Sequence, residues 1–74
     1  MQMLMPQIGM TMIEGTIENW KKAEGETVTK GEVILEISTE KLTNDIEAPE
    51  TGTLHIIAHE GETITCGEPI AEIK

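Results

Sequence analysis

Few residues in this chain carry side chains suited to chemistry, and one of them sits in a distinctive setting. Lys41 lies in the middle of the segment Glu36-Ile-Ser-Thr-Glu-Lys-Leu-Thr-Asn-Asp-Ile-Glu47. Apolar Ile37 and Ile46 flank a polar centre, which is the pattern of a β-hairpin with Glu40 and Lys41 as its central pair. Neither central residue is Gly, so a type I turn is expected rather than a primed one. A lysine at such an apex presents a nucleophilic amine on a fixed mount, reachable from outside. Exposed lysines are common, so the residue alone signifies little. Its setting has to carry the argument.

The other candidates are weaker. His55 and His59 are four apart and would share a face on an unbroken strand, but no third ligand stands near them, and the lone Cys66 offers no metal spacing. They read as surface histidines. Cys66 reads as an exposed, incidental thiol in a turn. Glu60 and Glu62 recur as turn residues in both halves and read as solvated carboxylates. Lys21-Lys22 is too short for a basic patch. No Ser/His/Asp arrangement or Gly-rich phosphate loop is present.

Composition narrows the function classes. The chain has 74 residues, room for one domain spanning 1–74 and expected to be monomeric. Fourteen acids against five lysines give a net charge of −9, which argues against nucleic-acid binding. An acidic surface suits encounters with basic partner surfaces. Trp20 is the only aromatic residue, so Ile, Val, Leu, Met and Ala must build the core. A single cysteine excludes an internal disulfide framework. No apolar run approaches the roughly 20 residues of a membrane span, and no secretory signal is evident. A reducing, cytoplasmic compartment is the expectation, with the mitochondrial matrix as its eukaryotic counterpart.

The elements that would position Lys41 are revealed by an internal repeat. Residues 25–37 read GETVTKGEVILEI and residues 61–73 read GETITCGEPIAEI, with nine of thirteen positions identical. Upstream, Gly15-Thr16-Ile17 matches Gly52-Thr53-Leu54, with one residue fewer in the second half. Ile17 and Trp20 lie three apart, as do Leu54 and Ile57, an odd step for a strand. A bulge at the same place in both halves is therefore expected. Runs rich in Ile, Val and Thr (15–20, 33–38, 42–47, 53–58 and 69–73) are separated by Gly-containing turns. Two copies are too few for a solenoid, so the halves should pack about a pseudo-two-fold axis as two antiparallel sheets. Ile37 then corresponds to Ile73, and the Glu40-Lys41 turn takes the place of the chain's end. The symmetry predicts Lys41 and the C-terminus at opposite ends.

In these residues the chain resembles the biotinyl/lipoyl attachment domains. Met5-Pro-Gln-Ile-Gly-Met10, Met12-Ile-Glu-Gly-Thr-Ile17, Trp20, Glu36-Ile-Ser-Thr-Glu-Lys41, Ile46-Glu-Ala-Pro49 and Gly52-Thr-Leu54 follow, in order, the pattern of lipoyl domains from the acyltransferase (E2) component of 2-oxoacid and acetoin dehydrogenase complexes. The resemblance covers about Met5 to Ile73. It implies an all-β flattened barrel of two four-stranded antiparallel sheets with quasi-two-fold symmetry, a barrel-sandwich hybrid with the lysine on a hairpin tip. Biotinyl domains typically place Met on both sides of the lysine. Glu40 and Leu42 stand there instead, which favours lipoyl, although Leu42 departs from the small or β-branched residue usual after a lipoyl lysine.

The resemblance further implies a carrier rather than an enzyme, with lipoic acid joined to Lys41 as lipoyl-lysine by a lipoate ligase or lipoyl transferase. A thiamine-dependent decarboxylase (E1) would reduce and acylate the swinging arm. The catalytic domain of a dihydrolipoamide acyltransferase (E2) would pass the acyl group to coenzyme A, and a flavoprotein (E3) would reoxidise the dithiol. Thr39 and Glu40 would be recognition residues at the tip. The Gly9–Glu14 loop would lie beside it, with Met10 and Met12 as adaptable contacts. A biotin carboxyl carrier domain and an unmodified barrel serving as an interaction module are the alternatives.

Overall fold

Where apolar residues recur at every second position, the chain folds into short strands. The computed structural model describes residues 1–7, 10, 12–39 and 42–74; Ile8, Gly9, Thr11, Glu40 and Lys41 lie outside the described residues. Eight strands follow in order: β1 (Gln2–Leu4), β2 (Glu14–Trp20), β3 (Thr27–Val28), β4 (Val33–Ser38), β5 (Thr43–Glu47), β6 (Gly52–Ile56), β7 (Thr63–Thr65) and β8 (Pro69–Ile73). One antiparallel sheet has the order β1-β8-β6-β3 and the other β5-β4-β2-β7. The described residues contain no helix, and hence no helix able to cross a membrane. Sequence pattern located β2, β4, β5, β6 and β8 to within two residues at each end. It passed over β1, β3 and β7, which have two or three residues and too few alternations to register a period.

Exchanging β1–β4 for β5–β8 converts one sheet order into the other, so the repeat is a true pseudo-two-fold. The hydrogen bonds repeat with it. Gly25 N–H donates to Leu54 O and Gly61 N–H to Ile17 O, both at 2.8 Å. Gly31 N–H donates to Ala48 O and Gly67 N–H to Met5 O, both at 3.0 Å. These four glycines have φ between 86° and 94°, a backbone shape that side chains with a Cβ rarely adopt, which is why the Gly positions recur in both halves.

The irregularities duplicate less fully than expected. β4 shifts register against β5 between Val33 and Leu35, and β8 shifts against β1 at the equivalent residues Pro69 and Ala71. Each shift turns one extra residue inward, so the consecutive pairs Ile34-Leu35 and Ile70-Ala71 are both buried. The bulge expected in both β2 and β6 occurs in β2 alone, between Ile17 and Asn19. β6 pairs with β8 without a shift. The residue missing from the second half is therefore the bulged one, and Trp20 corresponds to Ile56, not Ile57. Trp20 and Ile56 both pack against the core, whereas Ile57 is exposed.

Between the sheets lies one aliphatic core: Met3, Met5, Ile17, Val28, Ile34, Leu35, Ile37, Ala48, Leu54, Ala58, Ile70, Ala71 and Ile73. No polar or charged residue is buried among the described residues. The indole of half-buried Trp20 donates to Ala58 O at 2.9 Å, satisfying its only polar atom. Lys74 exchanges hydrogen bonds with Thr53 at 2.9 and 3.0 Å, the two-fold counterpart of the Thr16–Ser38 pairing. The C-terminal residue thus belongs to one sheet and the β4–β5 connection to the other. The position expected for Lys41 itself lies outside the described residues.

Candidate functional site

β4 and β5 form the most extensively registered strand pair, from Val33↔Glu47 to Ser38↔Thr43. Beyond Ser38, Thr39 N–H donates to Leu42 O at 2.8 Å, with the Thr39 hydroxyl 3.4 Å from the same oxygen. The ladder is therefore closed up to the two-residue connection. Glu40 and Lys41, which make that connection, lie outside the described residues, as does the turn type expected for them. Leu42 is 64% exposed and Thr39 is half-buried. The depression lined by Trp20, Lys22, Ile56, His59 and Glu60 lies away from this end.

Two segments lie beside the end of β4. β2 pairs with β4 at Thr16↔Ser38, so Glu14 and Ile13 run alongside the chain leaving β4. Gly15 lets the neighbouring segments close in: a Cβ there would lie 2.8 Å from Met12 Cε, 2.9 Å from Ile37 Cγ2 and 3.0 Å from Met5 Sδ. Met5 and Met12, from the chain between β1 and β2, belong to the second segment. Of the two methionines expected to be adaptable contacts, Met12 packs against the core and Met10 is 97% exposed.

Some polar residues have stronger partners than their sequence context suggested. Cys66, expected to be exposed and incidental, is half-buried with its Sγ 3.6 Å from both Pro6 O and Met12 O. Its environment differs from that of its counterpart Lys30 because the first half carries a longer loop there. Glu60 is not merely solvated: it accepts Trp20 N–H at 2.9 Å, as its counterpart Glu24 accepts Ile56 N–H at 2.6 Å. Glu62 accepts His59 N–H. Both strand ends thus use a carboxylate from a turn as a lid on a free N–H, a role recoverable from the repeat but hidden by the residue type. β6 stops at Ile56, so His55 and His59 do not share a strand face; His55 Nδ1–H donates to Glu24 at 2.9 Å. The Ile56 N–H, aided by His55, holds the Glu24 carboxyl below its ordinary value. Glu32 is lowered likewise, by Thr29 N–H and then by Lys22, 3.1 Å away. Asn44, the first inward residue of β5, carries a buried Nδ2 with no hydrogen-bond partner among the described residues.

The sheet that carries the connection exposes Glu14, Glu18, Asp45 and Glu47 among neutral threonines and Val33, and Glu36 pairs with Lys21 at 3.7 Å. Among the described residues, Lys22 and Lys74 also form ion pairs, with Glu26, Glu32 and Glu72. Pairs this exposed contribute little to stability. The net effect is a negative surface around the base of the turn.

Comparison with known proteins agrees with this geometry. The biotin/lipoyl family model, described as "Biotin-requiring enzyme", matches residues 1–73. The chain is 44% identical over 70 residues to the dihydrolipoyllysine-residue acetyltransferase component of the pyruvate dehydrogenase complex of Corynebacterium glutamicum, covering 93% of this chain and 10% of that protein. It is 44% identical over 73 residues to the dihydrolipoyllysine-residue acetyltransferase component of the acetoin cleaving system of Bacillus subtilis, covering 97% and 18%. The chain thus spans a tenth to a fifth of the length of these relatives. Among solved structures, the lipoyl domain of the 2-oxoglutarate dehydrogenase complex from Azotobacter vinelandii superposes with a TM-score of 0.81 at 28% identity, covering 99% of this chain and 94% of that one. The all-β fold of two four-stranded sheets is that of a lipoyl domain, and the chain belongs to the biotin/lipoyl attachment family.

Proposed function

We propose that this chain is a lipoyl carrier domain, with the lipoyl group on the Lys41 amine. The observation that carries the reading is the β4–β5 ladder, hydrogen-bonded up to Thr39 and Leu42, with a lysine in the two-residue connection between them. The bound group supplies a reducible dithiolane able to accept an acyl group. The chain's own contribution is mechanical and electrostatic. The hydrogen-bonded ladder fixes Thr39 and Leu42 on either side of the connection, and amide formation removes the lysine charge. The surrounding acids favour approach by partners with basic surfaces. Tethering makes each visit of the arm to an active site effectively intramolecular, so tight binding is not needed.

Relatives named for dihydrolipoyllysine residues, together with Glu40 and Leu42 in place of flanking methionines, favour lipoyl over biotin. On the same basis the parent chain is a dihydrolipoamide acyltransferase. Its partners are then a lipoate ligase or lipoyl transferase, a thiamine-dependent decarboxylase and a flavoprotein. Glu40 and Thr39 serve recognition at the tip.

Intact mass of the chain isolated from its native cells tests the assignment. An adduct of lipoyl mass is expected, lost in Lys41→Arg and kept in Lys30→Arg. A biotin-sized adduct, no adduct, or one that survives Lys41→Arg overturns it.

A further inference from the structure

The pseudo-two-fold sets β5 beside β4 as it sets β1 beside β8, and it matches the two edge strands residue by residue. Met3 pairs with Ala71 as Ile46 pairs with Leu35. Met5 N–H donates to Glu68 O as Ala48 N–H donates to Glu32 O, each at 2.8 Å. Toward the Lys41 end, the next inward residue of β5 is Asn44, which pairs with Ile37. At the equivalent place Met1 pairs with Ile73: Ile73 N–H donates to Met1 O at 2.7 Å, and the Met1 ammonium donates to Ile73 O at 2.6 Å. The alternate positions of the first edge therefore read Met1, Met3, Met5, and those of the second read Asn44, Ile46, Ala48. Asn44 is the polar one in this set.

The amide is unfavourable where it stands. Asn44 is half-buried, but its Nδ2 is buried and has no hydrogen-bond partner among the described residues. A buried donor left unmet destabilises a fold. Methionine at the equivalent place shows that this architecture accepts an apolar side chain there. An unmet donor at such a position calls for a use outside the free chain's own stability. Its place narrows that use. Asn44 lies three residues after Lys41, at the mouth of a ladder whose described pairing ends at Thr39 and Leu42. Because Nδ2 is covered, an acceptor on a docking protein does not reach it, and the acceptor must come from this chain. A two-residue turn leaves its own carbonyls outside the ladder, and the connection is the nearest such turn in sequence.

We infer that Asn44 is a positioning residue for Lys41, whose Nδ2 donates to a main-chain carbonyl of the connection when the lipoyl-attaching enzyme grips it. This rests on the lipoyl-carrier reading. The free chain forgoes some stability by keeping the donor and recovers it in the gripped form, which holds the amine in place. The chemical step is unaltered: the Lys41 amine attacks the carboxyl carbon of adenylated lipoate, the nucleotide leaves, and an amine proton passes to water.

The test is lipoylation of the unmodified chain by the lipoate ligase of the same cells, with lipoate and ATP, followed by intact mass. The assay runs well below each variant's unfolding temperature, so that an unfolded fraction cannot mimic slow modification. Asn44→Leu keeps the size of the side chain and removes the donor. It should lower kcat/KM for lipoylation about tenfold, equivalent to about 1.4 kcal/mol, while unfolding at no lower a temperature than the unaltered chain. A residue that merely supports the fold would lose stability and lipoylation together. The side-chain amide protons of Asn44 give a second readout: their NMR resonances should shift when ligase is added without ATP. Lipoylation of Asn44→Leu within about twofold of the unaltered chain, a lowered unfolding temperature, or amide resonances unmoved by ligase each overturn the inference and leave the carrier reading intact. Failure of the unaltered chain to take a lipoyl group overturns the carrier reading itself.

Discussion

Gly15 and Gly52 occupy equivalent places in the repeat, yet adding one methyl group should cost them differently. A Cβ on Gly52 would lie 2.7 Å from Lys74 O and 2.7 Å from Ile73 Cγ2. The first neighbour is backbone, and Lys74 O accepts Thr53 N–H at 2.9 Å, so the strand can only make room by opening its own ladder. On Gly15 the intruding methyl meets Met12 Cε and Met5 Sδ, the far parts of flexible side chains, along with Ile37 Cγ2. Overpacking costs about 1–3 kcal/mol, offset by about 0.4–1 kcal/mol from the reduced freedom of the unfolded chain. Gly52→Ala should therefore lose about 2 kcal/mol and Gly15→Ala about 1 kcal/mol. At ~4–8 °C per kcal/mol for a domain of this size, the unfolding temperatures should fall by about 8–16 °C and 4–8 °C. Calorimetry on both variants and the unaltered chain reads this directly. Displacement of Met12 in Gly15→Ala should also shift the amide resonances of Met10 and Ile13. If Gly15→Ala proves the more costly, or Gly52→Ala melts with the unaltered chain, the reasoning from backbone against side-chain neighbours is wrong.

Two further outcomes follow from the polar contacts. The Glu24 carboxyl is held below its ordinary value of 4.5, chiefly by Ile56 N–H, so its charged form is favoured in the folded state. The stability it contributes is complete above the unfolded value and disappears as pH falls through the lower folded value. Urea midpoints should thus decline below about pH 4.5, and Glu24→Gln should flatten that decline; an unaltered slope would show the contact to be unimportant. Asn44→Leu replaces an amide whose Nδ2 is buried and without a partner with a group of similar size on the face shared by Ile46. Removing an unmet donor should stabilise the chain by about 1 kcal/mol, and a fall in unfolding temperature would mean that the amide has work to do at the base of the turn.

Much of this molecule could be read before its fold was known. The glycines at 25, 31, 61 and 67 announce the repeat because each must adopt a positive φ, and a required backbone shape leaves the same residue in both copies. Alternation of Gly15 and Ile17 with Glu14 and Glu18, or of Leu35 and Ile37 with Glu36, announces the strands and their inner face. The order of residues around Lys41 is what motivates the proposed lipoyl attachment there. Cross-chain relations were not legible. Whether a three-residue step is a bulge depends on the partner strand: β2 carries the extra residue against β4, and β6 has none against β8. Glu60 looked like a solvent-facing turn residue because the N–H it accepts from, on Trp20, lies 40 residues away. Cys66 looked incidental because Pro6 and Met12 reach it only when the ends of the chain fold onto each other. Local spacing determines which backbone shapes and faces are possible. Which distant donor meets which carbonyl is decided by packing the two sheets together, since hydrogen bonds of this kind depend on distances that exist only in the folded chain.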